Sequence, residues 1–337
     1  MSTHATTAQS TTSSLHDGRS NWLQRAWRFN QLLTVSILLQ AALVPIFVAA
    51  MLMDQSLITG MPRWIKPFKF AASGSIYAAT FLWMLTLVQG RRRAVLWLAS
   101  LTGLALLVET IIIDVQVLRG VASHFNVTST LDGALFSIMG AFITLLAVCN
   151  LVLAFWLLFQ KIENPVLQTG IRWGVLISAF GVSMAYLMTA GPTPAQMEAL
   201  QAGQAVSAIG AHSVGVSDGG PGLPFFGWST TGGDLRIGHF VGLHGMQVLP
   251  FLAFLLTRRP GSIHRRRRDI RLLHAAGATY LGIAVLVTWQ ALRAQPLIAP
   301  DSLTLLTAGA LTLLSLAGMV WALQTREEEQ ITLVAGQ

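Results

Sequence analysis

The run Ala134 to Phe159, ALFSIMGAFITLLAVCNLVLAFWLLF, holds no Asp, Glu, Lys, Arg or His. A helix of this length rises roughly 39 Å, more than the roughly 30 Å of hydrocarbon in a bilayer. Similar runs recur along the 337 residues, at Gln31 to Met53, Phe68 to Gln89, Ala94 to Val117, Ile171 to Ala190, Gly238 to Thr257, Leu272 to Leu292 and Ser302 to Leu323. Hydrophobic residues make up 53% of the chain and charged ones 11%, which excludes an ordinary soluble enzyme. The expected fold is all-α, a polytopic integral membrane bundle of about eight transmembrane helices. A polar N-terminal tail over 1–27 precedes the membrane domain over 28–325, and a short tail over 326–337 follows it. The first 27 residues carry no apolar core ahead of Arg19, so they are not read as a cleaved signal peptide.

Charge sets the expected orientation. With both termini cytoplasmic, sixteen of the 22 Lys and Arg fall inside: Arg19, Arg25, Arg28, Arg91 to Arg93, Lys161, Arg172, seven arginines between Arg258 and Arg271, and Arg326. Six fall outside: Arg63, Lys66, Lys69, Arg119, Arg236 and Arg293. That asymmetry is the positive-inside pattern of a multi-pass protein of a cell inner membrane. The net charge of +8 is therefore read as a topology signal, with the bilayer and not nucleic acid as partner, and Arg265 to Arg268 as an anchor at anionic headgroups. The single cysteine, Cys149, excludes an intrachain disulfide and a cysteine metal cluster.

Polar groups inside the spans are costly and mark functional sites by default. The third span carries Glu109, Asp114 and Gln116 before Arg119, with Glu109 about 15 Å from the outer end. Glu109 and Gln116, seven apart, share a face, whereas Asp114 points away. Glu109, Asp114 and Arg119 are the expected catalytic groups. The sixth span carries His239, His244 and Gln247. The five-residue spacing of its histidines is wrong for two ligands on one helical face. Lys66 and Lys69, in Trp64-Ile65-Lys66-Pro67-Phe68-Lys69, sit outside against the charge trend, either as snorkelling side chains or as counter-charges to an anionic ligand or to the Glu109/Asp114 pair. Ser73, Tyr77 and Thr80 form a polar stripe suited to helix packing.

The connection over 191–237 is far longer than a usual helix-to-helix loop. Thr193-Pro194-Ala195-Gln196 predicts a capping box opening a short helix to about Val206. Beyond it, the Gly and Pro of 210–228 predict tight turns, and Phe225, Phe226 and Trp228 a loop folded onto the membrane surface.

Four histidines, His124, His212, His239 and His244, are thereby assigned to the outer side, with Glu109, Asp114 and Asp132 nearby. Imidazole ligates haem iron, copper and zinc, so these four are the expected metal ligands, and His244, His124, Lys66 and Lys69 the expected cofactor-binding residues. The stretch Arg236 to Phe251 resembles the haem-ligating helix of cytochrome b subunits, which likewise places an Arg and aromatics before a His and Leu-Pro-Phe after it. The resemblance implies haem ligation by His244. Three functions follow as expectations. The first is a redox enzyme with haem b or a transition metal at an outward-facing histidine/carboxylate site, taking a small-molecule or quinone-like ligand. The second is a small-solute or ion transporter, and the third a non-catalytic sensor or assembly protein whose 191–237 loop docks a periplasmic partner. Inward of Glu109 the third span offers only Thr102 and Ser100, so the polar track is expected to stop near the midplane.

Overall fold

The computed structural model describes residues 21–258 and 262–324. The tail residues up to 20, with Arg19, and those from 325, with Arg326, lie outside the described residues. The chain is an all-α polytopic bundle. Its elements are α1 (Trp22–Phe29), α2 (Gln31–Met53), β1 (Leu57–Ile58), β2 (Met61–Pro62), α3 (Ile65–Leu85), α4 (Arg92–Leu118), α5 (Thr130–Phe159), α6 (Pro165–Met188), α7 (Pro194–Gln201), β3 (Ser213–Val214), β4 (Gly233–Asp234), α8 (Leu235–Thr257), α9 (Ile263–Leu292) and α10 (Ser302–Gln324).

Seven of these helices, α2, α4, α5, α6, α8, α9 and α10, are long and apolar enough to cross a membrane. The eighth expected span corresponds to α3, a 21-residue helix whose apolar character is diluted by Lys66, Lys69 and its Ser and Thr residues. Its two ends are fixed at opposite ends of the bundle. Just before it, Arg63 donates to Val117 O at 2.8 Å and Leu118 O at 2.7 Å at the end of α4. Just after it, Gln89 N donates to the Gln160 side chain at 2.9 Å, at the end of α5. One end of the bundle therefore gathers 54–64, 119–129 and the long loop. The other gathers the arginine-bearing segments around 91 and 172.

Several boundaries differ from expectation for local reasons. α1 begins within the stretch read as tail, over 1–27, and runs two residues past it. α9 starts at Ile263, well before the apolar run, because the Ser262 side chain accepts from Arg265 N and caps the helix there. Arg265 to Arg268 are therefore helical. The capping box of α7 forms as expected, Gln196 N donating to Thr193 Oγ1 and Thr193 N to Gln196 Oε1. That helix ends at Gln201 instead of Val206 because Gly203 turns the chain at φ +71°. Two short hairpins, β1–β2 and β3–β4, are additions to the expected all-helical outline.

The most intimate packing is between α6 and α8. A Cβ added to Gly181 would lie 2.2 Å from Leu243 N, and one added to Gly242 2.5 Å from Gly181 Cα. Small residues at such a crossing let two backbones touch, which is how helices associate where lipid removes the hydrophobic drive. At mid-bundle Asn150 of α5 donates to Tyr77 OH at 3.1 Å and Ser178 Oγ at 3.3 Å, joining α3, α5 and α6. Tyr77 thus plays the packing role expected of its stripe.

Candidate functional site

The site forms at the long-loop end because three segments are tied there. Strand β3 pairs antiparallel with β4, Ser213 opposite Asp234, and Leu235 N donates to His212 O at 3.0 Å. That pairing puts His212 at the mouth of α8. A second tie joins Ile209 N to Phe125 O at 2.9 Å and Val127 N to Ser207 O at 3.0 Å, drawing in the turn between α4 and α5. The aromatic cluster predicted to lie on the membrane surface forms the outer wall: Phe226 stacks on Trp228 at 4.5 Å, and Phe225 meets Phe68 of α3 at 5.9 Å.

His124 and His212 flank one buried ring, Phe125, at centroid distances of 6.3 and 4.8 Å. Each imidazole is oriented through Nδ1. His212 Nδ1 and His212 N both lie 2.9 Å from Asp218 Oδ2, and Ser213 N donates to Asp218 Oδ1 at 2.8 Å. Burial favours a neutral Asp218, but the imidazole and amide of His212 and the amide of Ser213 outweigh it and hold the carboxyl below the usual carboxylate range. A carboxylate only accepts, so His212 Nδ1 carries the proton and Nε2 is the basic nitrogen. Burial pushes His212 below the ordinary imidazole value despite Asp218, assisted by the charges of Arg236 and Lys66. His124, with Nδ1 3.1 Å from Ser123 Oγ, is pushed well below it by burial and by the charges of Lys66 and His212. Both imidazoles are neutral at pH 7.

Deeper in the bundle the side chains come from three helices. Ser73 Oγ of α3 lies 3.4 Å from His244 Nε2 of α8, and Phe240 meets the His244 ring at 4.4 Å. Glu109 of α4 is 4% exposed, and its Oε1 is buried with no hydrogen-bond partner among the described residues. Lys66 of α3 lies 5.9 Å from the Phe70 ring, and its ammonium makes no hydrogen bond or ion pair among the described residues. The charges of Lys66 and Glu109 act on one another, and Lys66 also acts on Asp218, His124 and His212.

Other residues of the expected site lie elsewhere in the fold, most of them in contacts between its elements. Arg119, expected to be catalytic, pairs with Asp132 Oδ1 at 2.6 Å and with Gln116, while Gln116 Nε2 donates to the same oxygen at 3.0 Å. This clamp joins α4 to α5 and leaves Asp132 occupied. Lys69 donates to Phe226 O at 2.9 Å, holding the loop. Arg236 pairs with Asp234 and donates to Gly227 O at 2.6 Å. Asp114, on another face from Glu109 as its spacing requires, has one buried oxygen without a partner among the described residues.

The four histidines are not brought to one point. His239 donates Nδ1 to Gly181 O at 2.8 Å and serves the α6–α8 crossing, whereas His244 faces α3. Among the described residues no three His, Cys, Asp or Glu side chains are grouped to hold a metal ion. The expected set of His124, His212, His239 and His244 does not form one. His244 Nε2, the nitrogen that would ligate haem, meets Ser73. The residue that sequence reasoning passed over is Asp218, taken only as part of a turn. Its signal was an acid six residues after a histidine within a glycine-rich loop.

No protein-family model, curated protein or solved structure matches the chain.

Proposed function

We propose that this multi-pass membrane protein binds a small anionic or zwitterionic molecule at its long-loop end and exchanges protons with it. Lys66 supplies the counter-charge, Glu109 receives the cationic or hydroxyl end, and His212, oriented by Asp218, is the base. The observation carrying this reading is that Glu109 Oε1 is buried without a hydrogen-bond partner and the Lys66 ammonium makes no hydrogen bond or ion pair, both among the described residues. A buried carboxyl group and a half-buried amine, each without a polar partner among the described residues, cost folding free energy, and such costs concentrate where a ligand completes the set. Lys69 and Arg236 reinforce the positive field but are already occupied, which leaves Lys66 to meet the ligand. The site is read as facing the outside of an inner membrane, with both termini cytoplasmic, from the charge asymmetry of the loops. A haem or metal centre is not carried forward, because the histidines are dispersed over separate contacts.

The test is to titrate the purified protein in weakly buffered solution with short carboxylates, phosphate monoesters and α-amino acids, following pH. Binding by at least one class with proton uptake or release that Glu109→Gln or His212→Gln removes supports the reading. Proton-silent binding in the native protein contradicts it.

A carrier function is the second reading, and one observation favours it. The polar track continues past Glu109: Thr102 Oγ1, on the same face of α4, and Asn150 Oδ1 of α5 are also buried without partners among the described residues. Uptake of the bound solute into proteoliposomes separates a carrier from an enzyme that converts it in place.

A further inference from the structure

At the opposite end of the bundle, an open cavity of about 610 Å³ lies between α1, the end of α3 and the start of α4. Its floor is apolar, with Leu85 and Val95 buried and Phe29 and Leu96 on the sides. Its rim carries Arg28 and Arg92. Neither guanidinium makes a hydrogen bond or ion pair among the described residues, unlike Arg63, Arg119, Arg236 and Arg293, which are each paired with an aspartate. At one corner Gly90, at φ +72°, turns the chain so that nothing lies within 4 Å of where its Cβ would be.

We propose that this cavity binds the phosphate headgroup of an anionic phospholipid, with Arg28 and Arg92 on the phosphate and an acyl chain along Leu85, Val95 and Leu96. Three features select a lipid over a free anion. The cavity joins a charged rim to an apolar floor, matching an amphiphile. It opens where α2 and α4 begin, the level of the headgroups. The adjoining α1 exposes Trp22 by 62% and Trp27 by 43% between basic residues, the composition of a helix lying in the interfacial plane. Two arginines that stay charged at every accessible pH and offer forked donors suit a phosphate diester better than a neutral headgroup. Basic pockets between membrane helices recognise anionic headgroups by the same chemistry.

The test uses the full chain in nanodiscs of equal phosphatidylglycerol and phosphatidylcholine, extracted into mild detergent, with retained lipid measured by native mass spectrometry. The expected result is retention of phosphatidylglycerol over phosphatidylcholine by roughly tenfold, about 1.4 kcal/mol. Arg28→Gln with Arg92→Gln removes the preference, Arg28→Lys with Arg92→Lys keeps part of it, and Arg93→Gln, outside the cavity lining, keeps all of it. Should the glutamine pair fail to fold, the native protein decides, since phosphatidylglycerol and not phosphatidylcholine should raise its unfolding temperature. Equal retention of both lipids, or an undiminished preference in a folded glutamine pair, overturns the proposal. So does displacement of the lipid by millimolar inorganic phosphate, which would assign the arginines to a free anion.

Discussion

Asp218 holds His212 twice through one oxygen, accepting from its Nδ1 and its backbone amide, each at 2.9 Å. The imidazole can neither rotate nor switch tautomer without breaking a bond to a carboxylate, so its Nε2 has a fixed position. A loop rich in glycine thereby fixes an imidazole through its own carboxylate.

The stability of this loop should fall with acid in two stages. His124 and His212 have folded-state values below the ordinary 6.5, so below about pH 6.5 the unfolded chain binds protons that the folded chain refuses, and stability declines as pH falls toward the folded values. Asp218 is likewise depressed, so its contribution is whole above about pH 4 and is lost only as pH falls through its lower folded value. Thermal unfolding between pH 7.5 and 5 should show a declining midpoint, with a shallower slope in His124→Gln and His212→Gln. A slope unchanged in both variants would remove these imidazoles from the linkage.

Lys66 and Glu109 should behave oppositely to Arg119 and Asp132. Without ligand, Lys66→Met and Glu109→Gln each replace a side chain that has no polar partner among the described residues, and should leave stability unchanged or raise it by about 0.5–2 kcal/mol while abolishing binding. Asp132→Ala strands Arg119, Gln116, Thr128 and Ser129 and should lower the unfolding temperature. Denaturation in detergent without ligand reads both effects.

Gly181 and Gly242 should tolerate no larger side chain. The obstruction at each is partner backbone, which cannot give way as a side-chain tip would. Gly181→Leu should cost about 1–3 kcal/mol or more and loosen His239 from Gly181 O. Unfolding temperature and hydrogen exchange of α8 check this.

Orientation can be tested against a quiet background because Cys149, the one native cysteine, is buried. Gly220→Cys in the long loop should react with a membrane-impermeant thiol reagent in intact cells, and Arg266→Cys should react only after permeabilisation. Labelling of position 266 in intact cells would invert the assignment.

Much of the architecture was legible because span length depends only on local composition. Glu109 stood out for the same reason, as a carboxylate deep in an apolar run. The site's partnerships were less legible. Whether Arg119 served chemistry or structure depended on Asp132, thirteen residues away on the next helix, and whether Lys66 differed from Lys69 depended on Phe226 O, far along the chain. Histidines counted together on one side were separated by what each faced: a loop carboxylate for His212, the α6 backbone for His239 and Ser73 for His244. Spacing warned that His239 and His244 diverge, but only the packing of α6 and α3 on either side of α8 showed to what.

The central claim is that Lys66 and Glu109 await a ligand. Its most direct test is the unfolding temperature of the native protein and of Lys66→Met, measured with and without short carboxylates, phosphate monoesters and α-amino acids. The account predicts that one class stabilises the native protein, by about 2.7 kcal/mol when the ligand is at a hundred times its Kd, and has no effect on the variant. Equal stabilisation of both proteins, or a Lys66→Met protein markedly less stable than the native one without ligand, would show that Lys66 serves the fold and would contradict the account.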